Sequence, residues 1–289
     1  MDINMKVLVT GVKGQLGYDV VNELTARGME AVGVDIDEMD ITDAESVNSV
    51  LRETNPDAVI HCAAYTAVDA AEDNEAVCRR VNVDGSRNIA KVCRELDIKM
   101  LYISTDYVFS GEGEHFWKPD DVCDPQSVYG RTKYEGELAV KEVLEKYFIV
   151  RIAWAFGVNG KNFIKTMLNL SKNHKRITVV NDQFGSPTYT FDLAKLLADM
   201  IVTDKYGIYH ATNEGVCSWY DFACAIFEEA GITMEVAPVS SAEYAAKAKR
   251  PANSRMDNGK LTDNGFQMLP VWQDALKRYV AILREQKFI

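Results

Sequence analysis

Met5-Lys6-Val7-Leu8-Val9-Thr10-Gly11-Val12-Lys13-Gly14-Gln15-Leu16-Gly17 decides the fold. The first six residues are a short, β-branched, apolar run of strand character. Three glycines then turn the chain into an amphipathic segment over 18–27, Gly28 closes it, and Ala31-Val32-Gly33-Val34-Asp35 reads as the next strand. A glycine-rich turn alone is common between a strand and a helix. With both strands, the helix and a terminal acid about twenty residues past the glycines, it is the unit a dinucleotide requires. Gly11 and Gly14 let the backbone approach a pyrophosphate, and the helix N-terminus supplies free N–H groups and a positive dipole end. Asp35 is placed to accept hydrogen bonds from the adenosine ribose and to repel a 2′-phosphate, which favours NADH over NADPH.

The same alternation continues. Asp40-Ile41-Thr42-Asp43 opens a helix with Thr42 or Asp43 as cap. Pro56-Asp57-Ala58-Val59-Ile60-His61-Cys62-Ala63-Ala64 is a buried strand whose small last residues let a cofactor lie over its end. A long helix over 77–96 carries Asn82, placed for a structural hydrogen bond or a catalytic one. Lys99-Met100-Leu101-Tyr102-Ile103-Ser104-Thr105 is the next strand, and ligands of open parallel sheets bind at strand carboxyl ends, so Thr105 reaches the crevice. Three strand–helix units before position 100 predict an α/β fold with a doubly wound parallel sheet of Rossmann type.

Past a loop over 109–124 and a strand ending at Trp154, the pattern changes. Helices are expected over 163–173 and 191–202, strands at Ile177-Thr178-Val179-Val180 and Ile208-Tyr209-His210-Ala211, and a capping box at Ser218-Trp219-Tyr220-Asp221. The expected division is 1–155 plus 177–213 as the dinucleotide-binding domain and 156–176 plus 214–289 as a smaller C-terminal substrate-binding lobe.

Ser127-Val128-Tyr129-Gly130-Arg131-Thr132-Lys133 sets a tyrosine and a lysine on one face of a helix's first turn. A phenol's ordinary pKa is about 10. A cation held beside it favours the phenolate, so the pair can be tuned to exchange a proton near neutrality. Lys247, Lys249, Arg250 and Arg255 cluster around Pro251. They form either a solvated helix end or a local positive site for an anionic ligand.

The chain has 289 residues, 47% hydrophobic and 26% charged, with a net charge of -11, which argues against nucleic acid or an anionic membrane as partner. No apolar run spans a bilayer, and no basic-then-apolar leader is present. Six cysteines without a C-x-x-C pair read as reduced thiols of a cytoplasmic protein. Four isolated histidines add no ligand spacing, so no metal is expected.

Gly-x-x-Gly-x-x-Gly after the first strand, Ser104-Thr105-Asp106-Tyr107-Val108-Phe109 and Tyr-Gly-x-Thr-Lys resemble the extended short-chain dehydrogenase/reductases. Ala63-Ala64-Tyr65-Thr66-Ala67-Val68-Asp69, Asn162-Phe163, Asn181-Asp182-Gln183-Phe184-Gly185-Ser186-Pro187-Thr188 and Arg250-Pro251-Ala252-Asn253-Ser254-Arg255 are similar to segments of the dTDP-4-dehydrorhamnose reductase family, over nearly the whole chain. The resemblance implies NAD(P)H-dependent reduction of the 4-keto group of dTDP-4-dehydro-L-rhamnose to dTDP-L-rhamnose, a step of surface polysaccharide biosynthesis. Tyr129 is implied as proton donor, Lys133 as the group that holds the nicotinamide ribose and lowers the tyrosine pKa, and Thr105 as partner of the reacting oxygen. Gly11, Gly14, Gln15, Leu16, Asp35, Asp40, Ile41, Ala63, Ala64 and Tyr65 match the family's cofactor contacts. Asp106, Trp154, Asn162 and Arg255 match positions near the sugar nucleotide, with Arg255 on its diphosphate.

A related sugar-nucleotide epimerase or dehydratase is one alternative, although Tyr107 stands where dehydratases carry their second acid. A non-catalytic subunit resembling the β subunit of methionine adenosyltransferase is another. The protein is expected to be a monomer or a homodimer. Asp19 and Asp192 fall near the acids through which some relatives hold magnesium at a dimer interface, one methylene shorter than glutamate.

Overall fold

The computed structural model describes residues 5–244 and 246–289. Its centre is a six-stranded sheet in which β1 (Lys6–Thr10), β2 (Glu30–Val34), β3 (Ala58–His61), β4 (Lys99–Thr105) and β5 (Tyr147–Ile152) are joined by the edge strand Gly207–His210. The spatial order is β2, β1, β3, β4, β5 and then Gly207–His210, with every neighbouring pair parallel. This is the expected doubly wound sheet. Its strand order reverses between β1 and β3, where such sheets open a crevice.

Strands buried on both faces read as continuous apolar runs, and β1, β3, β4 and β5 do so. Helix α1 (Gln15–Ala26) and the helix Thr190–Ile201 cover one face through Leu16, Val20, Leu24, Leu193 and Leu197. The opposite face carries Val47, Leu51, Ile89, Val92 and Val140 from the helices Ala44–Thr54, Ser86–Glu95 and Val128–Val143. Asp43 caps the first of these, its carboxylate accepting from the Glu45 N–H. A third apolar cluster lies outside the sheet, built from Phe156, Ile164, Leu168, Phe222, Phe227, Leu276 and Tyr279. The expected capping box is present there: Ser218 accepts from the Asp221 N–H, and Asp221 accepts from the Ser218 N–H.

Two expectations need correction. The strand Arg176–Val180 pairs with Glu235–Val239 and not with the central sheet, so 177–180 stands apart from the sheet of the domain it was expected to join. A four-residue apolar run does not state its pairing partner, and the partner here lies more than fifty residues later. The helix expected over 77–96 is interrupted: Glu75–Arg79 is α-helical, Arg80–Gly85 opens into a π-helical turn, and Ser86–Glu95 resumes the α-helix. Asn82 sits in that wider turn with its side chain buried.

Candidate active site

The glycine turn closes tightly on the end of β3. Gly11 has φ +70, and a Cβ there would lie 2.8 Å from the Ala63 N and Cα. The Gly14 N–H donates to the Gly11 carbonyl at 3.0 Å, and α1 begins at Gln15 with no side chain capping it. Its first-turn N–H groups therefore stay available to a phosphate. A pocket next to this turn is lined by Gly11, Asp35, Asp40, Ile41, Ala63 and Ala64, among others. The Asp35 carboxylate accepts from the Lys13 and Ile36 N–H groups, both at 2.9 Å, while the Lys13 ammonium pairs with Asp37. Asp40 accepts from Thr42, and the Tyr65 N–H donates to Asn82 at 2.8 Å. A glycine cradle that no side chain would fit, open helix amides and an acid at the pocket rim fit a dinucleotide.

Two of the expected cofactor residues do other work as well. Gln15 accepts through Oε1 from the Gly157 N–H at 2.9 Å and from Asn162 at 3.0 Å, tying the turn to the chain beyond β5. Leu16 is a core residue.

Thr105 ends β4, and the Val128–Val143 helix brings Tyr129 and Lys133 over it. Ser127 starts that helix by accepting from the Gly130 N–H at 3.1 Å. Gly130 and Gly136 let it approach closely: a Cβ at either would meet the Tyr107 carbonyl oxygen or the Asn82 carbonyl and Tyr102 hydroxyl within 2.5 Å. The Thr105 hydroxyl neighbours the Tyr129 phenol and opposes the rise of its pKa. Thr105 donates to the Asp106 carboxylate at 2.9 Å, and Ser254 donates to that carboxylate's other oxygen. Burial pushes Asp106 up to about 6, against the hydrogen bonds of Ser254 and Thr105. Tyr107 packs edge-on against Tyr129, with ring centroids 5.4 Å apart.

The expected lowering of the Tyr129 pKa by Lys133 is not what the structure has. Burial raises the phenol well above its ordinary value; the Thr105 hydrogen bond opposes the rise, and Asp106 and Tyr107 add to it. Lys133 is buried too, and its ammonium turns to the strand, donating to the Ile103 carbonyl at 2.6 Å and lying 4.1 Å over the Tyr102 ring. A buried ammonium takes the acceptor within reach, since leaving it unpaired is costly. Burial lowers Lys133 to about 7, with Glu137 acting in the opposite direction.

Across the crevice, Trp154 holds φ 51 and stacks on Trp219 with centroids 3.7 Å apart. Lys247, Lys249 and Arg250 pair with Asp73, Glu112 and Asp69. Arg255 has no carboxylate partner among the described residues; its guanidinium lies 4.7 Å over the Phe184 ring and donates to Asn253. The basic cluster thus divides into three paired cations and one available guanidinium. Asn162 is another residue expected near the sugar nucleotide. It caps the helix Phe163–Ser171, accepting from the Lys165 N–H, and donates to Gln15, the Gly157 carbonyl and Tyr279. Its side-chain amide thus braces the glycine turn against the helix Phe163–Ser171.

Asp19 and Asp192 offer no open metal site. Asp19 is buried against the Thr190 hydroxyl, and Asp192 takes two hydrogen bonds from Arg278 and one from Asn213. Among the described residues, no cluster of three or more His, Cys, Asp or Glu side chains is gathered to hold a metal. No helix of the described residues is long and apolar enough to cross a membrane.

Several supporting residues escaped the sequence reading. The Ala63 N–H donates to Thr10 Oγ1, which meets His61 Nδ1 at 2.7 Å; His61 Nε2 meets Ser86, whose hydroxyl donates to the Asn82 carbonyl. Burial lowers His61 to about 3, so this network is neutral. Asn82 in turn holds both polar groups of the Tyr65 backbone and donates to Thr132. The wide π-turn that aims Asn82 leaves no mark in apolar periodicity.

A parallel sheet with a glycine cradle at its switch point and a Thr/Tyr/Lys set at the neighbouring strand end defines an extended short-chain dehydrogenase/reductase. Residues 5–285 match the family model described as RmlD substrate binding domain, and the chain belongs to that family. A dTDP-4-dehydrorhamnose reductase of Aggregatibacter actinomycetemcomitans is 42% identical, covering 94% of this chain and 97% of that one. A spore coat polysaccharide biosynthesis protein SpsK of Bacillus subtilis is 37% identical over 95% of this chain and 96% of its own length. Among solved structures, dTDP-4-dehydrorhamnose reductase of Bacillus anthracis in complex with NADP superposes with a TM-score of 0.95 at 41% identity, covering 97% of this chain and 100% of that one.

Proposed function

We propose that this chain reduces the 4-keto group of dTDP-4-dehydro-L-rhamnose to dTDP-L-rhamnose at the expense of a nicotinamide cofactor. The observation that carries the reading is the convergence of Tyr129, Thr105 and Lys133 at the end of β4, next to a glycine turn open to a dinucleotide. When bound, the nicotinamide supplies the hydride for the sugar's C4. The chain's own residues do the rest. Tyr129 Oη gives its proton to the 4-oxygen, whose growing basicity draws it. Thr105 orients the phenol, and Lys133, one helical turn on and donating to the Ile103 carbonyl, is the cation of the same helix face.

The sugar nucleotide lies between the sheet domain and the lobe, with Arg255 on its diphosphate and the Trp154/Trp219 stack as an aromatic wall. Asp106 holds Thr105 on one side and Ser254 of the lobe on the other. The domain division follows the crevice, with 177–180 counted in the lobe. The dinucleotide site takes either cofactor. Asp35 weights it toward NADH, while Lys13 would have to leave Asp37 to meet a 2′-phosphate, and the Bacillus anthracis relative was solved with NADP.

Oxidation of NADH and NADPH is followed by loss of the reduced-nicotinamide absorbance with dTDP-4-dehydro-L-rhamnose, with its UDP-linked counterpart and without sugar. One cofactor oxidised per dTDP-L-rhamnose formed is expected. Turnover of the sugar with no net cofactor oxidation would point to an epimerase or dehydratase, and neither oxidation nor turnover to a non-catalytic subunit.

A further inference from the structure

Glu137 is the most deeply buried carboxylate near this site, 1% exposed, and nothing in the reaction uses it directly. It follows Lys133 by four residues, so both project from one face of the Val128–Val143 helix. Ser104 and Arg151 are register partners on β4 and β5, and both reach Glu137. Ser104 donates to Oε1 at 2.5 Å, and Arg151 donates to Oε1 at 2.8 Å and to Oε2 at 2.7 Å. The far end of Arg151 donates to the Pro119 carbonyl and lies 5.0 Å over the Phe109 ring, fastening the loop over 109–124.

A buried ion pair of this kind seldom stabilises a fold more than apolar residues of the same shape would. Its use is to be sought in what it touches. Ser104 precedes Thr105, and Ile103, the acceptor of Lys133, precedes Ser104. Glu137 thus grips the strand end that carries one reacting group, from the helix that carries the other two.

We propose that Glu137 is a positioning residue of this site: it locks the Tyr129/Lys133 helix to the end of β4 and supplies the negative charge against which the Lys133 ammonium is buried. The proposal rests on the reductase reading for the use of that charge. The other groups facing Lys133 are Cys62 beyond β3, Cys78 on the helix Glu75–Arg79, His61 on β3 and the Tyr102 ring on β4. All are neutral near pH 7, since burial raises both thiols, Cys62 to about 12, and lowers His61 to about 3. Around Glu137 itself stand Arg151, Tyr102, Tyr134, Tyr147 and Cys123. Glu137 is therefore the anion on which Lys133 depends.

The test reads the lysine directly. Protein labelled with 13C at lysine Cε is titrated without cofactor, and the Lys133 signal is assigned by its loss in Lys133→Met. Lys133 is expected to titrate near 7 in the wild type and about one pH unit lower in Glu137→Gln. Because Glu137→Gln leaves Arg151 buried and unpaired, the apolar pair Glu137→Leu with Arg151→Met is measured beside it, and a smaller downward movement is expected, since the positive charge of Arg151 leaves with the carboxylate. Ser104→Ala cuts only the tie to β4. It should leave the titration unmoved and lower kcat about tenfold at unchanged KM for the sugar nucleotide. An unmoved Lys133 signal in a folded Glu137 variant, or an unchanged kcat in Ser104→Ala, would overturn the corresponding half of the proposal. A wild type inactive on the sugar would sink the reductase reading and leave the lysine titration to judge Glu137.

Discussion

Gly17→Ala tests the cradle through a contact that the structure measures. Gly17 is buried in the first turn of α1, and a Cβ there would lie 2.3 Å from the Gly11 carbonyl oxygen and 2.7 Å from its carbon. Both are backbone atoms, and the same oxygen accepts from the Gly14 N–H, so the turn cannot yield locally. Alanine gains about 1 kcal/mol of helix propensity. Overpacking costs about 1–3 kcal/mol, and a contact this short belongs at the upper end. The net loss is about 2 kcal/mol, and the melting temperature falls by about 4–8 °C. Because relief comes by displacing the glycine turn, the dinucleotide Kd rises about tenfold or more, a cost of at least ~1.4 kcal/mol. Gly28→Ala is the control. Gly28 has φ +79 with no atom within 4 Å of its Cβ position, so the change brings only left-handed strain, about 1 kcal/mol. Its cofactor affinity stays as in the wild type. Thermal melts and fluorescence titration with NADH and NADPH measure both variants. A Gly17→Ala protein melting at or above the wild type would refute the packing reasoning; a lower melting temperature with unchanged Kd would move the dinucleotide away from this turn.

Tyr129→Phe should bind NAD(P)H as the wild type does and lose about a hundredfold or more in kcat, read by single-turnover cofactor oxidation; a rate near wild type would take the phenol out of the chemistry. Arg255→Ala should raise KM for the sugar nucleotide about ten- to a hundredfold, the worth of a charge-assisted phosphate contact, with cofactor Kd untouched. Asp35→Ala should raise the NADPH-over-NADH ratio of kcat/KM about tenfold, and an unchanged ratio would show that the acid does not read the ribose. Burial pushes Asp19 up to about 6 from an ordinary 3.8, so the folded state binds the extra proton between those values. Its penalty is absent below 3.8 and complete above 6. Asp19→Asn keeps an acceptor for Thr190 and should therefore raise the melting temperature at pH 8 but not at pH 3.5. Equal gains at both pH values would assign the effect to packing.

Much of the fold was legible because its signals are local. The β1 turn, the acid closing β2 and the apolar runs of β3 to β5 each state their own conformation, and parallel strands buried on both faces have little choice of partner. The strand at 177–180 shows the limit, since its pairing with 235–239 depends on where two distant segments meet. Among site residues, Thr105, Tyr129 and Lys133 were readable from strand end and helix spacing. The capping role of Asn162 was not legible, because a capping asparagine and a ligand-binding asparagine look alike until the helix after it is seen to need the cap. Glu137 shares its face with Tyr129 and Lys133, but glutamate is so seldom buried that spacing alone does not single it out. Its use becomes visible only with Arg151 and Ser104 brought beside it from two other strands.

The direction of the hydrogen bonds, which no sequence pattern contains, divides the labour within the crevice. Asp106 titrates near 6, so above that pH it is a carboxylate and accepts only. Ser254 and Thr105 must each donate to it, and the Tyr107 N–H donates to Thr105. Thr105 has then committed its one proton and faces Tyr129 as an acceptor. A substrate carbonyl is also only an acceptor, so Thr105 has nothing to give it while Tyr129 does. On the proposed reading, the threonine aims the phenol, and the phenol alone would carry the proton to oxygen. Raising the Tyr129 pKa by burial serves this assignment. On that reading, it would keep the proton on the phenol until reduction made the substrate oxygen the stronger base.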